Sequence, residues 1–249
     1  MRPERARAAP DAPDAPTGPN APPRALCLVP ARGGSKRIPG KNARAFCGVP
    51  MIRRSIEAAL GAGCFARVVV STDDRRLAEL AREAGAEVPF VRPAPLSDDH
   101  ATTLEVVRHA LDALELGGPL PARVCCLYAT APFVRAGDLV AGAAALDGAD
   151  FAMAVARYAF PIQRAVRVDA SGALRMVDPA RYAARSQDLE ETLHDAGQFY
   201  WGTVDAWRDE RPFFDSRVAP IELPRWRVRD IDTPEDWTEA EALFRALGG

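Results

Sequence analysis

Residues 25–42 read ALCLVPARGGSKRIPGKN, an apolar run that breaks into a loop with two adjacent glycines, Gly33 and Gly34, and four cations, Arg32, Lys36, Arg37 and Lys41. A short run with no polar residue is a strand buried on both faces. The arrangement that covers both faces is a mostly parallel sheet between layers of helices. In such folds ligands dock beyond the carboxyl ends of the strands, where this loop must lie. Paired glycines let backbone N–H groups approach phosphate oxygens closely, and Arg and Lys neutralise the charge that the backbone cannot. The competing reading is a solvated basic turn. The string fits neither G-x-x-x-x-G-K-[ST] nor G-x-G-x-x-G, which disfavours a P-loop NTPase and a dinucleotide-binding dehydrogenase.

From Ala25 onward the chain alternates apolar runs with amphipathic segments, as β-α-β units do. Strands are expected at Leu26 to Val29, Val68 to Ser71, Val124 to Tyr128 and Phe151 to Ala156, and helices at Met51 to Leu60, Asp74 to Ala84, Thr102 to Leu116 and Gly137 to Leu146. After Arg157 the alternation degrades around the turn signals Asp169 to Gly172 and Asp178-Pro179, which suggests a hairpin or an inserted arm spanning 157–202. Such arms often pair subunits, so a homodimer is expected. A last helix is expected from Pro234 to Leu247, with Thr233 as N-cap. Residues 1–23 hold seven of the 22 prolines and almost no large apolar side chain, so they are expected to be a disordered extension outside a single domain of residues 24–249.

Charge is nearly balanced, 32 Lys and Arg against 34 Asp and Glu, which leaves no one-signed field to hold nucleic acid or an acidic membrane. An anionic ligand must be bound locally. No apolar stretch reaches the roughly 18 residues of a membrane span. No apolar core follows the N-terminal arginines, as a secretory signal would need. The five cysteines are odd in number and lack C-x-x-C spacing, and Cys27, Cys125 and Cys126 fall inside apolar runs. They read as buried thiols of a cytoplasmic protein.

Four further strings place polar groups at strand ends or turns. VVVSTDD delivers Ser71, Thr72 and Asp73 to the same sheet edge as the glycine loop, where hydroxyls and a carboxylate suit a ribose or base. Thr72 and Asp73 are equally candidates for a helix N-cap. VPFVRPAPLSDDHATT holds Arg92 before Pro93, which makes its guanidinium semi-rigid, or is a surface loop before a capped helix. LYATAPF puts Tyr128 and Thr130 at another strand tip. RSQDLEETLHDAGQFYWG gathers Gln187, His194, Asp195, Gln198, Tyr200 and Trp201, and polar groups among aromatics suit a sugar.

RVRDIDTPEDW carries Asp230 and Asp232 two residues apart, on one face of an extended segment, where they can share a hard cation. Magnesium takes one or two carboxylates and completes its shell with phosphate oxygens, which fits this pair; manganese is the alternative ion. Asp236 lies at a helix start and suits the helix dipole. His100, His109 and His194 form no nucleophilic triad order and no zinc spacing.

Together these strings resemble the acylneuraminate cytidylyltransferase family, over residues 25 to 247. The matching motifs are ARGGSK followed by KN, the RPAPLSDD segment and the Asp230–Asp232 pair. The resemblance implies a Rossmann-like α/β fold of the nucleotide-diphospho-sugar transferase type with a small inserted arm. It implies transfer of CMP from CTP to the anomeric hydroxyl of a nonulosonic acid. Arg32 and Lys41 would meet the CTP phosphates, and Ala31, Gly33, Gly34, Ser35, Lys36, Asn42, Thr72, Asp73, Arg92 and Ser97 would bind the nucleotide. Asp230 and Asp232 would hold the metal and share the catalytic role with Arg32 and Lys41. Sialic acid enzymes commonly show L-Q-P-T-S-P where this chain has LYATAPF, and Tyr128 takes the glutamine position. That departure and the strings FPIQRA, RSQDLEE and HDAGQFYWG look like the pseudaminic acid branch. They nominate Tyr128, Thr130, Gln163, Arg164, Gln187, His194, Gln198 and Tyr200 for the sugar. No phosphatase domain is expected beyond Gly249. The remaining alternatives are N-acetylneuraminate, legionaminate or Kdo as the sugar, a nucleotidyltransferase for sugar 1-phosphates, and a non-catalytic nucleotide-binding homologue.

Overall fold

The computed structural model describes residues 25–248, and the expected extension at 1–23 lies outside them. The elements run β1 (Ala25–Pro30), β2 (Ala45–Phe46), β3 (Val49–Pro50), α1 (Met51–Ala62), β4 (Phe65–Ser71), α2 (Arg75–Glu83), α3 (Thr103–Glu115), β5 (Arg123–Leu127), α4 (Ala136–Ala145), β6 (Phe151–Arg157), β7 (Val166–Val168), β8 (Leu174–Met176), β9 (Leu193–Thr203), α5 (Val204–Arg208), β10 (Val218–Glu222) and α6 (Pro234–Ala246). Every strand and helix expected above is among them, within a few residues at each end.

Six strands form one sheet in the order β10-β6-β9-β5-β1-β4. β1 pairs parallel with β4 on one side and β5 on the other, and β10 pairs parallel with β6. β9 runs antiparallel to both its neighbours and is the one reversed strand of the sheet. Because the chain leaves β1 for β4 and later returns to the other side at β5, the strand order reverses at β1. A crevice opens there, beyond the carboxyl ends of β1 and β5.

The apolar strands are packed from both faces. One cluster gathers Cys27, Val29, Cys125 and Leu127 with Ile52 and Ile56 of α1 and Leu139 of α4. The opposite cluster gathers Leu26, Leu28, Val124 and Cys126 with Val107 and Leu111 of α3 and Trp207 of α5. Alternate residues of one strand thus serve two cores. Cys27, Cys64, Cys125 and Cys126 are buried and Cys47 is half-buried, all with free thiols. Burial pushes the Cys64 thiol up to about 11.

Helix starts follow local chemistry. Thr102 and Glu105 form a reciprocal capping box on α3, and Thr233 and Asp236 do the same on α6, with Pro234 in its first turn. The cap of α2 is Asp74, whose carboxylate accepts from Leu77 N. Neither Thr72 nor Asp73 caps that helix. The hairpin expected after Arg157 is β7–β8, turning at Asp169–Gly172. The inserted arm is shorter than 157–202, because Leu193 to Gly202 belong to β9 inside the sheet. No helix among the described residues is long and apolar enough to cross a membrane.

Candidate active site

The crevice at the ends of β1 and β5 has a volume of about 470 Å³. Arg32, Ser35, Lys36, Arg37, Lys41 and Asn42 line it from the glycine loop, Arg92 and Asp99 from the segment before α3, and Tyr128 and Thr130 from the end of β5. Three hydrogen bonds tie the loop to its surroundings and to itself. Ala31 N donates to Ser71 O at 2.9 Å, Asn42 Nδ2 donates to Arg32 O at 2.9 Å, and Gly33 N donates to Asp73 Oδ1 at 3.0 Å. A Cβ at Gly33 would lie 2.7 Å from the Asp74 carboxylate, whereas Gly34 has open space around it. Glycine is thus needed for close approach at the first position, and the second leaves room for a ligand.

The cations of the crevice are held by carboxylates of the protein. Asp99 pairs with Arg32 at 2.6 Å and with Lys36 at 2.5 Å, and these contacts, Lys36 foremost, lower its carboxyl to about 2. Arg92 is only 4% exposed, and its nearest carboxylate is Asp73 at 3.8 Å. Its Nε and Nη2 have no hydrogen-bond partner among the described residues. A buried guanidinium with open donors is costly unless an acceptor arrives, so Arg92 is suited to an incoming one.

Asp232 sits at the edge of the same crevice. Its Oδ1 lies 3.3 Å from Lys41 Nζ and its Oδ2 2.6 Å from Arg37 Nη1. Lys41 also donates to Ile231 O at 2.8 Å, which ties the segment carrying both aspartates to the glycine loop. Burial, and then the Asp232 charge beside it, push the Asp230 carboxyl above the usual range. A carboxylate such as Asp230, whose ionisation is made costlier by burial and by a neighbouring carboxylate, suits a shared cation, which removes that cost. Among the described residues no cluster of three or more His, Cys, Asp or Glu forms a metal site, so a cation here would complete its shell with ligand oxygens and water. Asp236 accepts from Asp232 N and Thr233 N, fixing the turn into α6, and this is the helix-start role expected for it.

The remaining nominated residues divide. Thr72 and Asp73 face a neighbouring cleft beyond Arg92. Ser97 donates to Pro93 O at 3.1 Å and closes its own short turn. Tyr128 lines the crevice, with its hydroxyl 2.9 Å from Thr103 Oγ1. Tyr200 donates to Asp195 Oδ2 at 2.7 Å, next to Tyr128. Gln198 is buried and donates to Arg227 O at 2.8 Å. Gln163 and Arg164 bind Glu190 O and Ser186 Oγ within the arm, Gln187 is exposed there, and His194 packs on Tyr158 at its base. These four are outside the residues lining the crevice. Asp99 and Thr103 line it and were not singled out by sequence; the SDDHATT string that holds them reads locally as a turn and a helix cap.

Comparison with known proteins gives the family of the chain. The model of the cytidylyltransferase family matches residues 26–211. A pseudaminic acid cytidylyltransferase of Campylobacter jejuni subsp. jejuni serotype O:2 is 43% identical over 222 residues, covering 88% of this chain and 96% of that protein. A CMP-N,N'-diacetyllegionaminic acid synthase of Legionella pneumophila is 31% identical over 230 residues, covering 89% of this chain and 96% of that one. Among solved structures, a CMP:2-keto-3-deoxy-manno-octonic acid synthetase complexed with CTP superposes with a TM-score of 0.67 at 20% identity, covering 90% of this chain and 99% of that one. The last likeness supports the Rossmann-like fold, and the family match and the two relatives extend it to the sequence. The chain belongs to the cytidylyltransferase family.

Proposed function

We propose that this chain transfers CMP from CTP to the anomeric hydroxyl of a nonulosonic acid, with pseudaminic acid as the preferred sugar, and releases pyrophosphate. The observation that carries the reading is one crevice at the reversal of strand order, walled by Arg32, Lys36, Arg37 and Lys41 and bordered by Asp232. Four cations in so small a volume match a triphosphate and far exceed what a neutral ligand needs. The higher identity to the pseudaminic acid relative than to the legionaminic acid one favours pseudaminate.

In the reaction the anomeric oxygen attacks the α-phosphorus, the bond to the β-phosphate oxygen breaks, and pyrophosphate leaves with that electron pair. The hydroxyl proton passes to solvent. Such transfers depend on positioning and charge stabilisation more than on a nucleophilic side chain. Arg32 and Lys41 offset charge gathering on the leaving pyrophosphate, Lys36 and Arg37 hold its outer oxygens, and the open Nε and Nη2 of Arg92 orient the nucleotide. Asn42 keeps Arg32 in place through its backbone carbonyl. Asp230 and Asp232 would hold a magnesium or manganese ion, which supplies charge neutralisation at the α-phosphate and lowers the pKa of an oxygen bound to it. The protein is a cytoplasmic homodimer in this reading, with its thiols reduced.

The test is pyrophosphate release with CTP, magnesium and a panel of nonulosonic acids. The expected result is turnover fastest with pseudaminic acid and absent without a divalent ion. A preference for UTP or for a sugar phosphate would overturn the assignment. Asp232→Asn should abolish turnover with the melting temperature retained; near-normal activity in that variant would remove the metal role.

A further inference from the structure

A second cleft, of about 270 Å³, opens between α1, α6 and the loop that joins β5 to α4, and none of its lining residues lines the crevice. Its walls include Arg54 of α1, Phe133 and Arg135 of the loop, Arg227, and Phe244 of α6.

Three guanidiniums border this cleft, and the carboxylates around it do not match them. Both oxygens of Asp138 bind Arg227 and neutralise it. Glu57 also lines the cleft, but its carboxylate lies 2.7 Å from the exposed Arg53. Among the described residues Arg54 and Arg135 are left without an ion pair. Arg54 lies over the Phe244 ring at 4.7 Å, and Arg135 over Trp226 at 5.6 Å. A ring face compensates a cation less well than an anion does. Arg54 Nε is buried without a partner among the described residues, and its Nη2 donates to Cys47 O at the long distance of 3.4 Å. The carboxyl end of α6 and the amino end of α4 both border the cleft, so their dipoles, about half a charge each, oppose one another and leave the excess positive charge standing.

We propose that this cleft is an effector site for a small organic anion, with the oxyanion on Arg54 and Arg135 and an apolar body against Phe133 and Phe244. A carboxylate and a phosphate monoester offer the same oxyanion, and a guanidinium fork donates to either. The cleft has little more than half the volume of the crevice, so its ligand is smaller than the one the crevice holds. Phe133 joins the two sites. It shares one apolar cluster with Ile38 of the glycine loop and with Ile231, which stands between Asp230 and Asp232, and Phe244 packs against that cluster. Arg227 Nη1 donates to Phe133 O at 3.4 Å, on the strand of chain that leads directly to Asp230. An occupant that fixes Phe133 orders parts that the nucleotide and its metal must also order, so each ligand lowers the cost of binding the other. This coupling rests on the nucleotide reading of the crevice; the anion site stands without it.

The test is calorimetric titration of the full chain with phenyl phosphate and with benzoate, alone and with saturating magnesium and CTP. Inorganic phosphate supplies the anion without the ring, and benzyl alcohol the ring without the anion. At least one of the two acids should bind one-to-one in the millimolar range or tighter, and more tightly than either control; the stronger of the two identifies the effector as a phosphate ester or a carboxylate. Arg54→Gln and Arg135→Gln should each weaken it by about tenfold or more, the loss expected of a charge-assisted hydrogen bond. Glu57→Gln, which removes the nearby negative charge, should tighten it. Arg135 is exposed, so its variant keeps the fold even where loss of the stack on Phe244 unsettles Arg54→Gln. Magnesium and CTP should tighten the acid by about twofold or more. Displacement of the acid by CTP would place it in the crevice and overturn the proposal, as would equal binding of benzyl alcohol, unchanged affinity in Arg135→Gln, or no binding of either acid. An affinity for the acid that CTP leaves unchanged would overturn the effector role. A chain that binds the acid but no CTP would remove the nucleotide reading and leave the anion site in place.

Discussion

In the reading proposed above, Asp99 occupies the position where a triphosphate would meet Arg32 and Lys36. Its carboxyl is depressed to about 2, so these ion pairs contribute stability at any pH above the unfolded value of 3.8 and lose it only as pH falls through about 2. At working pH, CTP must therefore displace a fully charged competitor. Asp99→Asn should lower KM for CTP by about twofold to fivefold, the range of an exposed ion pair, and the advantage should shrink as salt rises. It should hold steady between about pH 5 and pH 9, where Asp99 does not titrate. A KM for CTP that rises in the variant would show Asp99 to be a ligand group instead. The sequence made the cations legible, because Gly-Gly and four basic residues crowd one loop after a buried strand. Asp99 was illegible for the opposite reason. Its partners lie more than sixty residues away, and SDDH gives the local signal of an exposed turn.

At the scale of elements, the loop with Asp230 and Asp232 is positioned by contacts that no periodicity announces. Arg227, buried just upstream, pairs with both oxygens of Asp138 at the start of α4, one of them at 2.9 Å, and its carbonyl accepts from Gln198 of β9. Asp138 also accepts from Arg135 N and so caps α4 while neutralising Arg227. Removing one partner of a buried pair leaves the other charge uncompensated. Asp138→Ala should therefore cost about 3–5 kcal/mol, seen as a lower urea midpoint. It should also raise the magnesium concentration needed for half-maximal rate, because the segment with the aspartates loses its anchor. A loss below about 1 kcal/mol would show that the pair is solvent-screened. The parallel strands β1, β4, β5 and β6 could be read from their apolar runs. β9 could not, because His194, Asp195, Gly197 and Gln198 interrupt it, and a polar-aromatic block resembles a binding loop. β10 was hidden by Pro220, which is tolerated because this strand pairs on one side only, at the edge of the sheet.

For the whole molecule, the arm between β6 and β9 is the part that the single chain leaves unfinished. In the β7–β8 hairpin Val166 stands opposite Met176 and Val168 opposite Leu174, so all four share one face, and Arg167 and Arg175 share the other. Val166, Val168 and Leu174 are exposed, as are Phe160, Val177 and Tyr182 around them. A lone two-stranded hairpin is marginal in water, and its apolar face needs a cover to persist. Exposed apolar side chains sharing one face of a hairpin suit an interface. The proposed cover is the same arm of a second copy, since a two-fold axis lets one self-complementary patch bury itself. The wild type should sediment as a dimer at about 10 μM, a concentration at which a stable homodimer interface stays associated. The double substitution Val168→Asp with Leu174→Asp places two like charges on one cross-strand pair of that face and should yield a monomer whose sheet core still melts cooperatively. A wild-type monomer, or a variant that stays dimeric, would move the interface elsewhere. The alternation V-R-V and L-R-M was present in the sequence, and it gave the hairpin but not its purpose. Which face needs covering depends on the register that sets Val168 against Leu174, and the turn Asp169–Gly172 fixes that register only once folded.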